Sequence, residues 1–370
     1  MNQKNQYSRL AKHMQSWIIG LPDHEEVMPL LEARLTSEEA GFLADFPFFP
    51  QTIEQLAEKF STTTDELSAR LDPMARKGLV FRHESRKTVR YALNESMFML
   101  YRSPFWSGRD DEETKNLARL SNRYFYPVFG TEFGAHPTTG LRAIPIDRTI
   151  EDPGQVQPFE DVVQVLEQED YFCVAHCPCR QRKNLDPDSH SCKHETLNCL
   201  HFGRLARYMV QQDMGKKISI EETREILEAA ADAGLVHAIS THLTAPDSIC
   251  NCCSCCCIYV QSANVLQLHG HQRSNYVASI EAQTCKGCGL CVERCPMEAL
   301  RLEDSPEANN KTGKASVIDP EKCIGCGVCS HKCPTQSIGL LHREGEEDFP
   351  ETEREMAVQM GKERGMNLFT

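Results

Sequence analysis

Six cysteines fall within eight residues in the segment "CNCCSCCC", which runs from Cys250 to Cys257. Five further cysteines lie between Cys173 and Cys199, and eight lie between Cys285 and Cys333, so that all 19 follow residue 172. A reducing cytosol disfavours disulfides, and thiols at this density indicate metal ligation or thiol redox chemistry. We therefore expect the chemistry of this protein after residue 172.

One cysteine spacing occurs twice. The segments are "CKGCGLCVERCP", from Cys285 to Pro296, and "CIGCGVCSHKCP", from Cys323 to Pro334, and each reads C-x2-C-x2-C-x3-C-P. Over residues 280–341 this doubled run resembles the bacterial two-cluster ferredoxins. The resemblance implies a pseudo-twofold ferredoxin fold that holds two [4Fe–4S] clusters. The competing interpretation is a pair of zinc sites, but four-cysteine zinc motifs do not show the doubled run with its terminal Cys-Pro.

The same resemblance implies ligand sets that cross between the two runs, with three cysteines of one run and the fourth of the other around each cluster. The first cluster would be held by Cys285, Cys288, Cys291 and Cys333. The second would be held by Cys323, Cys326, Cys329 and Cys295. The glycines between these cysteines allow the backbone to approach the cluster closely.

The cysteines between Cys173 and Cys257 predict a further metal centre. A helical hairpin over residues 194–234, in which Leu197 and Leu200 lie on a helix, would bring the cysteine segments together at one end. Neighbouring cysteines in a short run cannot all point at one atom, so some must be spectators. We expect a third iron–sulfur cluster, while a noncubane or additional centre, a zinc site and metal-free thiol–disulfide chemistry stay open. The ligands selected are Cys179, Cys192, Cys199 and Cys253.

Residues 52–92 predict two short helices followed by a β-hairpin. Thr52 with Gln55, and Thr63 with Glu66, have the spacing of capping boxes. The pattern resembles a winged helix-turn-helix domain. However, Pro73 should break or kink the second helix, whose charges also cancel, and the hairpin tip alone is basic, with Arg82, Arg86, Lys87 and Arg90. We therefore expect a protein-docking or dimerisation module, and no specific DNA site.

The sequence divides into five predicted regions, and the fold class is α+β and multidomain. The regions are a winged-helix-like domain (1–100), an irregular connector (101–170), a mainly helical Cys-rich metal-binding domain (171–275), a ferredoxin-like domain (276–345) and an acidic C-terminal tail (346–370). The formal net charge of −13 argues against a chain that coats nucleic acid. Neither a secretory signal nor an apolar run long enough to cross a membrane is visible, which favours a cytoplasmic protein.

The predicted function is low-potential electron transfer through two C-terminal clusters and a third centre, between a cytoplasmic donor and an oxidoreductase partner. The Cys-rich middle segment is similar to portions of larger ferredoxin-type proteins from anaerobes, which suggests anaerobic metabolism. No dinucleotide-binding or phosphate-binding glycine loop is present, so an electron carrier is favoured over a substrate-converting enzyme. The alternative is an iron–sulfur redox-sensing regulator that binds DNA through residues 52–92. The sequence leaves open whether the protein forms a homodimer.

Overall fold

The computed structural model describes residues 3–85, 88–146, 149–150, 161–345 and 347–366. Within these ranges the chain is a mixture of helices and sheets, and no helix is long and apolar enough to cross a bilayer. The basic residues Arg86 and Lys87 of the predicted hairpin tip lie outside the described residues, as does Phe159 in the connector.

The N-terminal part combines short helices with a three-stranded antiparallel sheet. Its elements are α1 (Gln3–Gln15), α2 (Val27–Arg34), α3 (Ser37–Leu43), β1 (Gln51–Thr52), α4 (Ile53–Lys59), α5 (Thr64–Arg76), β2 (Val80–Glu84) and β3 (Val89–Leu93). The strand order is β1-β3-β2. The two helices and the hairpin expected over residues 52–92 are therefore present.

Both predicted capping boxes begin their helices. The Thr52 hydroxyl accepts a hydrogen bond from the Gln55 N–H over 3.3 Å, and the Gln55 side chain accepts one from the Thr52 N–H over 2.9 Å. Thr63 and Glu66 form the same arrangement. The break expected at Pro73 is absent, since α5 runs through it to Arg76. A proline removes only one intrahelical hydrogen bond, and here that loss falls near the end of the helix.

Ordered helices occupy much of the segment interpreted as an irregular connector, which corrects that expectation. The π-helical turns Met97–Arg102 and Phe125–Phe129 flank α6 (Ser103–Trp106) and α7 (Glu112–Tyr124), and α8 (Gly130–Gly134) follows. Asp111 caps α7 by accepting a hydrogen bond from the Thr114 N–H. Aromatic residues of this segment, such as Trp106 and Tyr124, are fully buried. Their burial supplies the apolar free energy that fixes these short helices.

The middle part is built on a six-stranded antiparallel sheet, so the expectation of a mainly helical domain is wrong. Its elements are β4 (Leu141–Ala143), α9 (Val162–Glu167), β5 (Phe172–His176), α10 (Pro178–Leu185), β6 (Leu197–Phe202), α11 (Gly203–Gln211), β7 (Lys216–Ile218), α12 (Ile220–Asp232), β8 (Val236–Ser240), β9 (Ser248–Cys252) and α13 (Ile258–Asn264). The strand order is β4-β8-β9-β6-β5-β7. Leu197 and Leu200 lie on a strand, because cross-strand pairing to β5 and β9 overrides their helical spacing.

One apolar core joins the N-terminal helices to this sheet. The Tyr208 hydroxyl on α11 donates to the carbonyl oxygens of Ala75 and Val80, which lie 2.9 and 3.0 Å away. The Tyr208 ring packs on Phe81, with 4.5 Å between the ring centroids. Residues of α1–α5 and of α11 belong to the same buried cluster, so the two parts stabilise each other.

The C-terminal part repeats one strand–helix–strand unit. The first unit is β10 (Tyr276–Ile280), α14 (Leu290–Arg294) and β11 (Leu300–Asp304), and the second is β12 (Lys314–Ile318), α15 (Val328–His331) and β13 (Ile338–His342). Strand β10 pairs with β13 and β11 pairs with β12, both antiparallel. Each sheet therefore takes one strand from each unit, which interlocks the two repeats.

The segment expected to be an acidic tail contains a helix that packs on the rest of the chain. Helix α16 (Glu353–Glu363) has Met360 buried. The Glu363 carboxylate accepts hydrogen bonds from the Thr138 hydroxyl over 2.6 Å and from its N–H over 3.1 Å. Arg364 donates to the Glu132 carbonyl oxygen over 3.1 Å. The acidic composition therefore reflects the exposed face of a docked helix.

Candidate metal centres

Glycines give the two C-terminal cysteine runs their tight local path. Gly325 has φ of +69°, and a Cβ there would lie 2.2 Å from the Tyr276 carbonyl oxygen. Its counterpart Gly287 has φ of +66°, and a Cβ there would lie 2.8 Å from the Lys314 carbonyl oxygen. Only glycine fits such close approach at positive φ. The backbone of each run can therefore wind around a compact centre.

A small cavity at one end of this part is lined by Cys285, Cys288, Cys291 and Cys333. We call it the outer cluster cavity, because Cys288 is exposed to solvent. Three of these cysteines come from the first run and one from the second. The pairing of β10 with β13 brings Cys333 to the first run, so the structure collects the four residues expected around the first cluster.

A second small cavity is lined by Cys295, Cys323, Cys326 and Cys329. We call it the inner cluster cavity, because its walls are apolar, with Ile324 and Val328 buried. Burial raises the pKa of the Cys326 thiol to about 12. An iron centre that binds here would therefore have to displace the proton of the Cys326 thiol. The arrangement again combines three cysteines of one run with the fourth of the other.

Four thiols of the middle part form a compact set that we call the four-thiol group, namely Cys192, Cys253, Cys255 and Cys256. Their sulfur atoms all lie within 4.8 Å of one another. Hydrogen bonds from the thiols of Cys192, Cys255 and Cys256 lower the pKa of Cys253. The group therefore favours at least one thiolate, which is the form that binds metals.

Six other cysteines form a series that we call the thiol chain, in which each thiol shifts the pKa of the next. In order along it they are Cys177, Cys179, Cys257, Cys252, Cys250 and Cys199. Cys199 Sγ lies 3.2 Å from His201 Nε2 at its end. The remaining cysteine, Cys173, is fully buried on β5 and belongs to neither set.

The thiol chain lines a large cavity of about 1000 Å³ between the middle sheet, α16 and the N-terminal part. Trp17, Phe48 and Met360 are among its apolar lining residues. Arg102 also lines it, with its guanidinium carbon 5.0 Å from the centroid of the Trp106 ring. Burial opposes the charge of Arg102, but the Cys250 thiol and the Asp247 carboxylate raise its pKa. The cavity thus combines thiols with a half-buried cation.

His271 is a further candidate ligand beside the thiol chain. One of its ring nitrogens lies within 4.8 Å of both Cys252 Sγ and Cys257 Sγ. Neither ring nitrogen has a hydrogen-bond partner among the described residues, and the side chain is buried. A buried imidazole without a partner is costly unless a metal ion or water satisfies it. The sequence interpretation did not select His271, because nothing in its local sequence marks it.

The four cysteines selected from the sequence for the middle centre do not converge. Cys192 and Cys253 lie together in the four-thiol group, with 3.9 Å between their sulfur atoms, whereas Cys179 and Cys199 belong to the thiol chain. Cys255 and Cys256 were missed. The cysteines of the run 250–257 do not all point at one place, as expected, since Cys253, Cys255 and Cys256 lie in the four-thiol group and Cys250, Cys252 and Cys257 in the thiol chain. The turn at residues 254–256 lets Cys255 and Cys256 join one group although they are adjacent.

Four histidines near the middle cysteines in the sequence are expected to be polar neighbours of the thiols and not metal ligands, namely His176, His190, His194 and His201. His190 Nε2 lies 3.7 Å from Cys256 Sγ, and His176 Nδ1 lies 2.9 Å from the Thr196 hydroxyl. Burial lowers the pKa of His201 to about 3. His190 and His201 therefore contact thiols directly, while His176 bonds to a hydroxyl.

Comparisons with known proteins agree with the C-terminal geometry. Residues 284–337 match a family model described as a 4Fe-4S dicluster domain, and residues 315–365 match another model with the same description. The chain is 31% identical over 105 residues to NADH-quinone oxidoreductase subunit I of Pelobacter propionicus. That match covers 28% of this chain and 53% of the relative, so the chain spans about half of the relative's length. No solved structure matches.

The matched residues 284–337 contain all eight cysteines of the doubled run, and these cysteines line the two cluster cavities. No family model confirms the winged-helix interpretation of the N-terminal part. The C-terminal part of this chain is therefore a ferredoxin-type 4Fe-4S dicluster domain.

Proposed function

We propose that this protein carries electrons one at a time between a redox donor and an oxidoreductase partner, through two [4Fe–4S] clusters in its C-terminal part. The observation that carries the proposal is the pair of cavities, each lined by four cysteines drawn from both runs. In such a protein the cluster supplies the redox chemistry, and the chain sets its potential through burial and hydrogen bonds. The name of the matched relative, an oxidoreductase subunit, supports a partner of that class.

The difference between the two cavities favours a direction for electron entry. The outer cluster cavity includes the exposed Cys288, while three cysteines of the inner cavity, Cys323, Cys326 and Cys329, are each less than 10% exposed. Exposure and burial both change cluster potentials. We propose that a partner exchanges electrons at the outer cluster, and that the inner cluster passes them toward the middle part.

The inner cluster cavity is continuous with the middle part through one apolar core. Cys252 and Cys257 of the thiol chain belong to the same buried cluster as Cys323 and Cys326. The Ile146 N–H also donates to the Cys326 carbonyl oxygen over 3.3 Å. We therefore propose that the third iron–sulfur centre binds among the thiol-chain cysteines, with His271 as a further ligand candidate.

The N-terminal part is proposed to dock a protein partner. On α5, Arg70 forms an ion pair with Glu38 over 3.1 Å, and Lys77 forms one with Glu39 over 2.7 Å. Arg82 on the hairpin is likewise paired with Glu84 over 2.8 Å. Cations that are already neutralised by acidic neighbours contribute little to phosphate binding. This pairing supports protein docking over the alternative of a DNA-binding regulator.

Metal analysis and spectroscopy of the full chain test the electron-transfer proposal. The protein is purified anaerobically, its iron and acid-labile sulfide are measured, and it is titrated with a low-potential reductant while electron paramagnetic resonance (EPR) spectra are recorded. We expect at least about eight irons per chain and spectra of interacting reduced clusters. A protein without iron, or one whose clusters cannot be reduced and reoxidised, would contradict the proposal.

A further inference from the structure

We infer that the four-thiol group binds a single zinc ion in a closed tetrahedral site. The group comprises Cys192, Cys253, Cys255 and Cys256, and it shares none of these cysteines with the two cluster cavities or with the thiol chain. The inference does not rest on the proposed electron-transfer function, because it concerns four other side chains and a different metal.

The distances between the sulfur atoms fit one ion. They are 3.6 Å for Cys192 to Cys255, 3.9 Å for Cys192 to Cys253, and 3.5 Å from Cys255 to both Cys253 and Cys256. A zinc–sulfur bond of about 2.3 Å places tetrahedral thiolates about 3.8 Å apart. Four of the six sulfur–sulfur distances therefore lie near the edge length of one coordination tetrahedron, and the other two are within 4.8 Å.

The cluster cysteines of the same chain provide an internal comparison. In a [4Fe–4S] cluster each thiolate binds a different iron, so the four sulfur atoms must surround the whole cube. Accordingly, no three cysteines of the fully described segment 285–333 bring their sulfur atoms within 4.8 Å of one another. The four-thiol group is more compact than either cluster cavity, which disfavours a cube there.

The surroundings of the group suit a structural ion. Cys192 lies between α10 and β6 in residues 186–196, which form neither helix nor strand. Cys253, Cys255 and Cys256 lie at the turn between β9 and α13. A zinc ion would fasten this irregular loop to the turn, in the way that closed four-cysteine sites stabilise small folds. Since Cys253 also lines the large cavity, the ion would fix one wall of it.

Nearby groups place positive charge and a hydrogen-bond donor beside the four thiols. The guanidinium of Arg180 is buried, and its positive charge acts on Cys253. His190 Nε2 lies 3.7 Å from Cys256 Sγ, where a ring N–H can donate to the bound sulfur. Hydrogen bonds of this kind hold the ligands of metal sites in place.

Metal analysis of the full chain tests the inference. Wild-type protein produced with zinc and iron in the medium should retain about one zinc per chain after dialysis, independently of its iron content. Cys255→Ser should lose most of the zinc and keep its iron. The reciprocal control Cys288→Ser, which alters the outer cluster cavity, should lose iron and keep the zinc.

Zinc-edge X-ray absorption of the wild-type protein supplies a measurement that needs no variant. We expect about four sulfur neighbours at about 2.3 Å. Nitrogen or oxygen neighbours in place of sulfur, or less than about 0.2 zinc per chain, would overturn the inference. An iron ion or cluster bound by Cys192 and Cys255 would overturn it equally, and so would zinc retained in Cys255→Ser.

Discussion

Arg294 donates a hydrogen bond from Nη2 to the carbonyl oxygen of Ala231 over 3.0 Å. A second bond runs from its Nη1 to the Asp232 carbonyl oxygen over 3.2 Å. Arg294 lies on α14 between Cys291 and Cys295, while Ala231 and Asp232 end helix α12. The last carbonyl oxygens of a helix lack intrahelical partners and carry its negative dipole end, so a guanidinium binds them well. This contact attaches the C-terminal ferredoxin-type domain, here called the cluster domain, to helix α12 of the middle part.

Arg294→Met should destabilise the attachment of the cluster domain. It keeps much of the side-chain volume but removes both donors to α12, together with the Nε donor to the Val328 carbonyl oxygen, and hydrogen bonds from a charged group contribute about 1.5–3 kcal/mol each. We discount this for the partial exposure of the guanidinium, and expect a loss of about 1–3 kcal/mol in the free energy of unfolding. Thermal unfolding checks the prediction. The control Arg301→Met, whose exposed side chain pairs only with Glu303 among the described residues, should change little.

Single cysteine variants should separate the two clusters according to the crossed ligand sets. Cys295→Ser should damage the cluster held with Cys323, Cys326 and Cys329, although Cys295 belongs to the first run. Cys333→Ser should damage the other cluster. EPR of the reduced variants, with iron analysis, measures which signal is lost. The crossed assignment is wrong if Cys295→Ser and Cys285→Ser remove the same signal.

Iron content should reveal whether the thiol chain holds a third centre. With one further four-iron cluster, the full chain should contain about twelve irons, and two clusters alone would give about eight. Cys257→Ser, within the thiol chain, should lower the content toward that of two clusters. Cys173→Ser, a buried cysteine outside both thiol sets, is the matched control. Equal iron in wild type and Cys257→Ser, with both C-terminal clusters intact, would exclude this location.

Glu95→Gln should change how stability depends on pH. Burial raises the pKa of the Glu95 carboxyl to about 7, even though the Met97 and Phe98 N–H groups donate to it. The folded state therefore binds this proton more tightly than the unfolded state, whose pKa is near 4.5. The contribution of Glu95 to the free energy of unfolding is therefore fully present below pH 4.5 and is lost as the pH rises toward 7.

The expected difference follows from the sign of that shift. Relative to wild type, Glu95→Gln should gain stability progressively between about pH 4.5 and 7, by at most about 3 kcal/mol. Melting temperatures of both proteins across this range, compared with Glu112→Gln on the exposed face of α7, provide the measurement. A constant difference at every pH would show that Glu95 does not titrate in this range.

The N-terminal part should not select a DNA sequence. Random-site selection with the cluster-loaded protein at physiological salt is expected to return no motif, because Arg70, Lys77 and Arg82 are paired with acids and the chain carries a net charge of −13. Any binding at low salt should weaken steeply as salt rises. Recovery of a defined motif bound at nanomolar strength and altered by cluster oxidation would favour the regulator.

The sequence by itself predicts the parts of this protein whose structure depends on residues close together in the chain. The capping boxes at Thr52 and Thr63 form as predicted, because each one is completed within four residues. The doubled cysteine run likewise identifies the dicluster domain, since spacing along the chain limits where consecutive ligands can point. Pro73 was misjudged, because the cost of a proline depends on where in its helix it lies.

Tertiary structure decided the middle part. The helical spacing of Leu197 and Leu200 gave way to sheet pairing, because strands distant in sequence pair with both residues and bury Leu200. The division of the middle cysteines into a four-thiol group and a thiol chain depends on how the loop containing Cys192 meets the turn after β9. That meeting joins residues about sixty positions apart, and no local spacing encodes it. For the same reason, only the tertiary structure shows that His271 and Arg102 lie beside the cysteines.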